Sequence, residues 1–131
     1  MVWWYYNPHV IMKNSLNVTT LGEQYSVNNF NVSFKGELFS IRHQSFYMNT
    51  SLNEPMVDYI LRKVQIAGRN ETSIGGINGI EGIIANSSNP SLINYNIVVL
   101  WKNNNVVLIT SKADTSDMKA VGEWFVDSYE L

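Results

Sequence analysis

A short run of glycines and two glutamates are the residues whose types and spacing come nearest to a chemical motif. The run GGINGIEGIIA has glycine at every third position, at Gly76, Gly79 and Gly82, while Glu71 precedes it and Glu81 lies within it. Glycine-rich loops can bind phosphate through backbone amides, and paired carboxylates can hydrolyse glycosidic bonds. Phosphate binding and carboxylate catalysis are therefore the first two chemistries to consider.

The glycine spacing fits neither nucleotide-binding motif. A phosphate loop requires G-x-x-x-x-G-K-[S/T], whereas no lysine or arginine occurs between Arg69 and Lys102. A dinucleotide-binding turn requires G-x-G-x-x-G between a strand and a helix. Here the spacing is G-x-x-G-x-x-G, and the following GIIA is typical of a strand. Collagen needs many triplets with proline, which are missing. We therefore expect no cofactor.

We interpret the glycines as structural. Either Gly75-Gly76 or Asn78-Gly79 forms a turn, and the remaining glycines allow a β-bulge or a close approach between backbones.

The titratable residues give no recognisable catalytic or metal-binding pattern. The histidines, His9 and His43, are not spaced with other ligand-type residues on a helix, and the chain has no cysteine. We expect no metal site, because catalytic zinc needs three converging protein ligands. Glu71 and Glu81 are expected to be solvated strand residues, so we assign no catalytic residue. The enzymatic alternative, a small carboxylate-based hydrolase, requires two acids that converge in a pocket.

Length and charge limit the class of protein. The chain has 131 residues, a formal net charge of −2 and nine lysines and arginines without a basic stripe, which argues against nucleic-acid binding. No apolar run reaches the roughly eighteen residues that a membrane span needs. We expect a single α+β domain over residues 1–131.

Local patterns predict most of the secondary structure. VNNFNVSF and ELFSIR form a hairpin around Lys35-Gly36, and a helix follows over residues 53–63. VQIAG and NETSI are strand segments broken by Gly68. INYNIVVLW and NVVLITS form a second hairpin and are expected at the centre of the sheet, because residues 97–101 and 106–109 within them are apolar without interruption. Asp114 is expected to cap a C-terminal helix.

The order of these elements predicts an α+β fold with an antiparallel β-sheet flanked by helices. Over residues 74–131, the run GGINGIEG, the hairpin NIVVLWKNNNVVLITSKAD and the terminal helix ending WFVDSYEL resemble the C-terminal half of PsbP-like domains. As in that family, the last helix ends near an aspartate and a serine, Asp127 and Ser128. The resemblance implies an α/β/α sandwich in a family that consists chiefly of non-catalytic docking and binding modules, often exported.

The N-terminus carries a cluster of aromatic residues. Trp3, Trp4, Tyr5 and Tyr6 are more than one strand can bury, so we treat them as candidate contacts with a partner or a membrane. Residues 1–12 are interpreted either as a juxtamembrane lead-in from an anchor that precedes residue 1 or as an edge strand.

Asparagine is the most over-represented polar residue, with seventeen copies against six lysines. Five asparagines begin N-x-S/T acceptor sequences for glycosylation: Asn17, Asn31, Asn49, Asn70 and Asn86. With the aromatic start, they favour an extracellular or envelope location, whereas a native start at Met1 would favour the cytoplasm.

These observations predict a non-catalytic binding module of the cell exterior or envelope, whose partner is a protein or an envelope component. The alternatives are the carboxylate-based enzyme and an intracellular or virus-encoded interaction protein.

Overall fold

A computed structural model describes residues 7–20, 23–46, 65–87 and 89–131, which form one seven-stranded sheet and one α-helix. The strand order is β1-β2-β3-β7-β6-β5-β4, and every neighbouring pair is antiparallel. The elements are β1 His9–Thr20, β2 Glu23–Phe34, β3 Glu37–Phe46, β4 Ile66–Ile74, β5 Ile77–Ile84, a 3₁₀ turn Pro90–Leu92, β6 Asn96–Lys102, β7 Asn105–Ser111 and α1 Thr115–Ser128.

The predicted α+β class and antiparallel sheet are confirmed. The helix predicted over residues 53–63 lies outside the described residues. The one described α-helix, α1, is not long and apolar enough to cross a membrane.

Both predicted hairpins form, and their turns contain residues with left-handed backbone angles. Lys35 and Gly36, with φ of 53° and 75°, join β2 to β3. Asn103, with φ of 53°, lies in the turn between β6 and β7. Asparagine and glycine tolerate positive φ better than other residues, so these sequences favour a tight reversal of the chain.

The glycine-rich run is a turn followed by a strand. Gly75 and Gly76, with φ of 60° and 79°, connect β4 to β5, so the first of the two predicted turn positions is correct and Asn78-Gly79 lies within β5. A Cβ atom on Gly79 would clash with the backbone carbonyl of Val99 and lie 2.6 Å from Leu100 Cδ2. Gly79 is therefore required because β6 lies too close for any side chain.

Gly68 produces a β-bulge in β4. Its φ is 61°, and the pairing of β4 with β5 shifts register between Ala67 and Asn70. At the same place a Cβ on Gly82 would meet the side chain of Ile66 and lie 2.7 Å from the carbonyl oxygen of Ala67. The bulge and the missing side chain at Gly82 together let the two strands approach each other.

Helix α1 lies on one face of the sheet, which we call the first face. The Asp114 carboxylate accepts a hydrogen bond of 3.0 Å from the backbone N–H of Asp117, which confirms the predicted cap. Phe125 packs edge-on against Phe30, with ring centroids 5.2 Å apart. The first-face core is Phe30, Val32, Phe34, Phe39, Ile41, Ile74, Ile77, Val98, Leu100, Val107, Ile109, Ala113, Met118, Val121, Phe125 and Val126.

The opposite face, which we call the second face, carries its own buried cluster. Its members are Tyr25, Val27, Phe46, Ile66, Ile84, Ile97, Val99 and Val106. Because residues 97–100 of β6 are all buried, this strand is covered on both faces, as are most residues of β7. The predicted central position of the second hairpin is confirmed.

Gly79→Ala tests whether Gly79 is required because β6 lies close to β5, and Gly76 of the preceding turn provides the comparison. We expect it to lower the free energy of unfolding by about 2 to 4 kcal/mol, because the new methyl group meets backbone that cannot rotate away. Gly76→Ala is the matched control, since no atom of the described residues lies within 4 Å of its Cβ position, and it should cost only about 1 kcal/mol through its left-handed angle. Urea unfolding measures both, and equal losses would contradict this account.

Candidate binding cleft on the second face

The structure does not bring Glu71 and Glu81 together. Glu81 pairs with Val98, whose side chain belongs to the first-face core, and Glu71 pairs with Ile80, which packs against the second-face cluster. Side chains of directly paired residues point to the same face of a sheet. The two carboxylates therefore lie on opposite faces and cannot share a substrate.

Glu81 has a structural contact instead. Its Oε2 atom is buried and lies 3.5 Å from the Nζ atom of Lys119, an ion pair without hydrogen-bond geometry that joins β5 to α1. A small cleft of about 180 Å³ beside it is lined by Asn70, Asn96 and Thr115, among others. The Asn96 side-chain amide donates a hydrogen bond of 2.8 Å to the carbonyl oxygen of Ala113.

The two histidines also lie on opposite faces. His43 pairs with Val107 on the first face, and its Nε2 atom is 2.8 Å from Asn105 Oδ1 while its ring meets Phe125 edge-on. His9 pairs with Ser33, near the start of β1 on the second face. Within the described ranges, no three potential metal ligands of the histidine, cysteine or carboxylate type cluster.

The predicted modification and contact residues are only partly placed. Asn17, Asn31, Asn70 and Asn86 are exposed, the first three on β1, β2 and β4 and the last in the loop after β5. Asn49 and the aromatic residues Trp3, Trp4, Tyr5 and Tyr6 lie outside the described residues.

An open cleft lies on the second face, in the half of the sheet formed by β1, β2, β3 and β7. We call it the second-face cleft; its volume is about 680 Å³, within the usual range for ligand sites. Its lining residues are Ile11, Asn31, Gly36, Glu37, Leu38, Phe39, Ser40, Leu92, Tyr95, Thr110 and Lys112.

A row of small polar side chains forms the floor of this cleft. Asn31 pairs with Ser40, and Ser40 pairs with Thr110, so the three side chains lie side by side across β2, β3 and β7. Amide and hydroxyl groups can both donate and accept hydrogen bonds. The floor is thus polar but uncharged, unlike the apolar second-face cluster farther along the same strands.

Apolar and aromatic residues border the polar floor. Leu38 is 66% exposed, the highest value among the large hydrophobic residues described, and Ile11 of β1 is 55% exposed. On the other side, next to β6, the Nζ atom of Lys112 lies over the Tyr95 ring, 5.4 Å from the ring centroid. An uncharged floor between apolar edges can bind a ligand that offers both backbone-like hydrogen bonds and apolar side chains.

Sequence reasoning did not identify the second-face cleft. One local signal was available at Leu38, because it precedes Phe39 and so must face away from Phe39 and Ile41 in an alternating strand. The contact between Tyr95 and Lys112 follows from the register of β6 with β7, in which Asn96 pairs with Ser111.

A buried polar residue lies in the second-face cluster. Gln44 is 3% exposed, pairs with Val27 and Val106, and its Oε1 atom has no hydrogen-bond partner among the described residues. An unsatisfied buried amide costs free energy because it has lost its hydrogen bonds to water.

Comparison of the chain with protein-family models, with curated proteins and with solved structures gives no significant match.

Asp114 is the residue for which we predict a pH effect. The backbone N–H of Asp117 and then the Ser116 hydroxyl lower the pKa of Asp114 below its ordinary value of 3.8. Because the pKa is lower in the folded state, the stabilising effect is present above the unfolded-state pKa and is lost as the pH falls through the folded-state pKa. Asp114→Asn keeps a capping side chain but removes the charge. The variant should therefore be less stable than wild type at neutral pH, and this difference in the free energy of unfolding should become smaller in acid. Urea unfolding at neutral and acidic pH measures it, with Glu123→Gln as the charge control, and a constant deficit would contradict the prediction.

Gln44→Met should be neutral or stabilising. The substitution keeps the shape and removes the unsatisfied oxygen, so we expect a gain of up to about 1 kcal/mol in the free energy of unfolding. Gln44→Glu should be strongly destabilising, since it buries a charge at the same position. A loss of stability in the methionine variant, measured by thermal or urea unfolding, would mean that the amide has a partner in solution.

Proposed function

We propose that this protein is a non-catalytic binding module of the cell exterior or envelope, and that an extended segment of a protein partner binds in the second-face cleft. The cleft itself is the observation that carries this proposal. It is open, lies across β2, β3 and β7 and combines a polar uncharged floor with exposed apolar edges.

The chemistry of the cleft favours a polypeptide over a small charged ligand. Asn31, Ser40 and Thr110 can bond to peptide N–H and C=O groups, while Leu38 and Ile11 offer apolar contacts to side chains. Among the described lining residues the charged ones are Glu37 and Lys112, of opposite sign, so together they give these residues no net charge with which to attract an ionic ligand.

A PsbP-like α/β/α sandwich is the fold that we propose for the whole chain. Burial of the second-face cluster supports it, since Val99 and Val106 are fully buried although α1 lies on the other face. A three-layer sandwich requires cover on both faces of the sheet.

The exposed acceptor asparagines support the exterior location. Asn86 lies in an exposed loop, the usual context for glycosylation. Asn31 lines the second-face cleft, so a sugar at Asn31 would occupy the space that the partner needs. We therefore expect Asn86 to be modified and Asn31 to remain free.

The carboxylate enzyme is not retained as a second candidate, because no observation favours it. Glu71 and Glu81 lie on opposite faces of the sheet. The intracellular alternative likewise gains no support from a particular residue.

Site-specific crosslinking in the native host tests the proposal. A photo-crosslinking residue placed at Leu38 should capture one defined protein, because Leu38 borders the second-face cleft and is exposed. The same residue at Ile83, which is 46% exposed on β5, should not capture it. Thr110→Arg, which fills the floor of the cleft, should reduce the crosslink at least tenfold. No crosslink, or equal crosslinks from the two positions, would contradict binding in this cleft.

A further inference from the structure

The two edges of the described sheet differ in how they oppose pairing with another strand. At the β4 edge, the bulge at Gly68 interrupts the strand, and the charged residues Arg69 and Glu71 are exposed beside it. Bulges and charges are the features by which sheets prevent edge-to-edge association. This edge is therefore protected.

The β1 edge has much weaker protection. After a register shift between Val10 and Met12, β1 pairs with β2 without interruption to Thr20, and within the described chain it has a neighbour on that side alone. Its lysine, Lys13, lies over the Phe30 ring at 5.3 Å on the first face and so does not project from the edge. Residues 12–16 of β1 form a regular stretch whose neighbour among the described strands is β2 alone, and an edge of this kind is a template for a further strand.

Exposed apolar residues are placed symmetrically along this edge. Met12 and Leu16 are 58% and 48% exposed, and both face the second face because they pair with Asn31 and Val27. Each lies two residues from Asn14. If a two-fold axis passed beside Asn14, Met12 of one copy would lie opposite Leu16 of the other copy, and Leu16 opposite Met12.

We propose that β1 pairs with β1 of a second copy of this chain, antiparallel and centred on Asn14. Met12 then lies opposite Leu16 of the partner subunit, and Lys13 lies opposite Ser15 of the partner subunit, so no like charges are directly opposed. The contact is self-complementary, as a two-fold interface requires.

This interface has a consequence for binding. The two-fold axis is perpendicular to the sheet, so the second faces of both copies point in the same direction. Because Ile11 of β1 lines the second-face cleft, the cleft of each copy lies close to the dimer interface. Two adjacent sites would bind a repetitive or paired partner with increased avidity. The dimer itself does not depend on the proposed use of the cleft.

Light scattering with size-exclusion chromatography tests the dimer on protein made without glycosylation, because a sugar at Asn17 of β1 would obstruct the edge. Wild type should have twice the 14.9 kDa mass of the chain. Met12→Glu with Leu16→Glu places carboxylates opposite each other and should raise the dissociation constant at least tenfold at low salt. Met12→Lys with Leu16→Glu places opposite charges together and should restore the dimer. Ile83→Glu, an equal change on β5, should have no effect.

Three results would overturn the proposal. Wild type could be monomeric at about 100 micromolar, the variant with two glutamates could still dimerise as wild type does, or the variant with Met12→Lys and Leu16→Glu could fail to restore the dimer. Circular dichroism verifies that each variant is folded. If the variants do not fold, hydrogen exchange of the wild type decides the matter, because amides of β1 should become more protected as protein concentration increases, and constant protection would refute the pairing.

Discussion

Burial of β6 and β7 on both faces of the sheet is the constraint on which the rest of the structure depends. Their apolar runs leave no face for water, so α1 covers the first face and the second-face cluster must be covered as well. An open cleft can then form where the second face becomes polar. That change occurs at Asn31, Ser40 and Thr110, at the end of the sheet away from β4.

The glycines that look like a phosphate motif serve the same constraint. β5 must lie close to β6, whose residues 97–100 are buried, and the backbone of Val99 leaves no space for a side chain on Gly79. Gly75 and Gly76 supply the left-handed angles of the preceding turn. The spacing of three in this run thus combines two unrelated requirements, a turn and a close approach of strands, and it needs no ligand.

The sequence predicts features that depend on neighbouring residues and misses those that depend on register. Turn residues at Lys35-Gly36, the apolar runs of β6 and β7, and the Asp114 cap act locally, so their prediction was correct. The faces of Glu71 and Glu81 could not be predicted, because the bulge at Gly68 and the register with β5 decide them. The second-face cleft was missed for the same reason: its floor comes from three strands and its border from the loop before β6.

The intact mass of the protein purified from its native host under non-denaturing conditions tests the exterior binding module most directly. The account predicts a species that carries sugar and is associated with a protein partner, and that releases a glycosylated chain when denatured. A species that contains only the unmodified polypeptide, whether single or paired with its own copy, would contradict both the exterior location and the binding function.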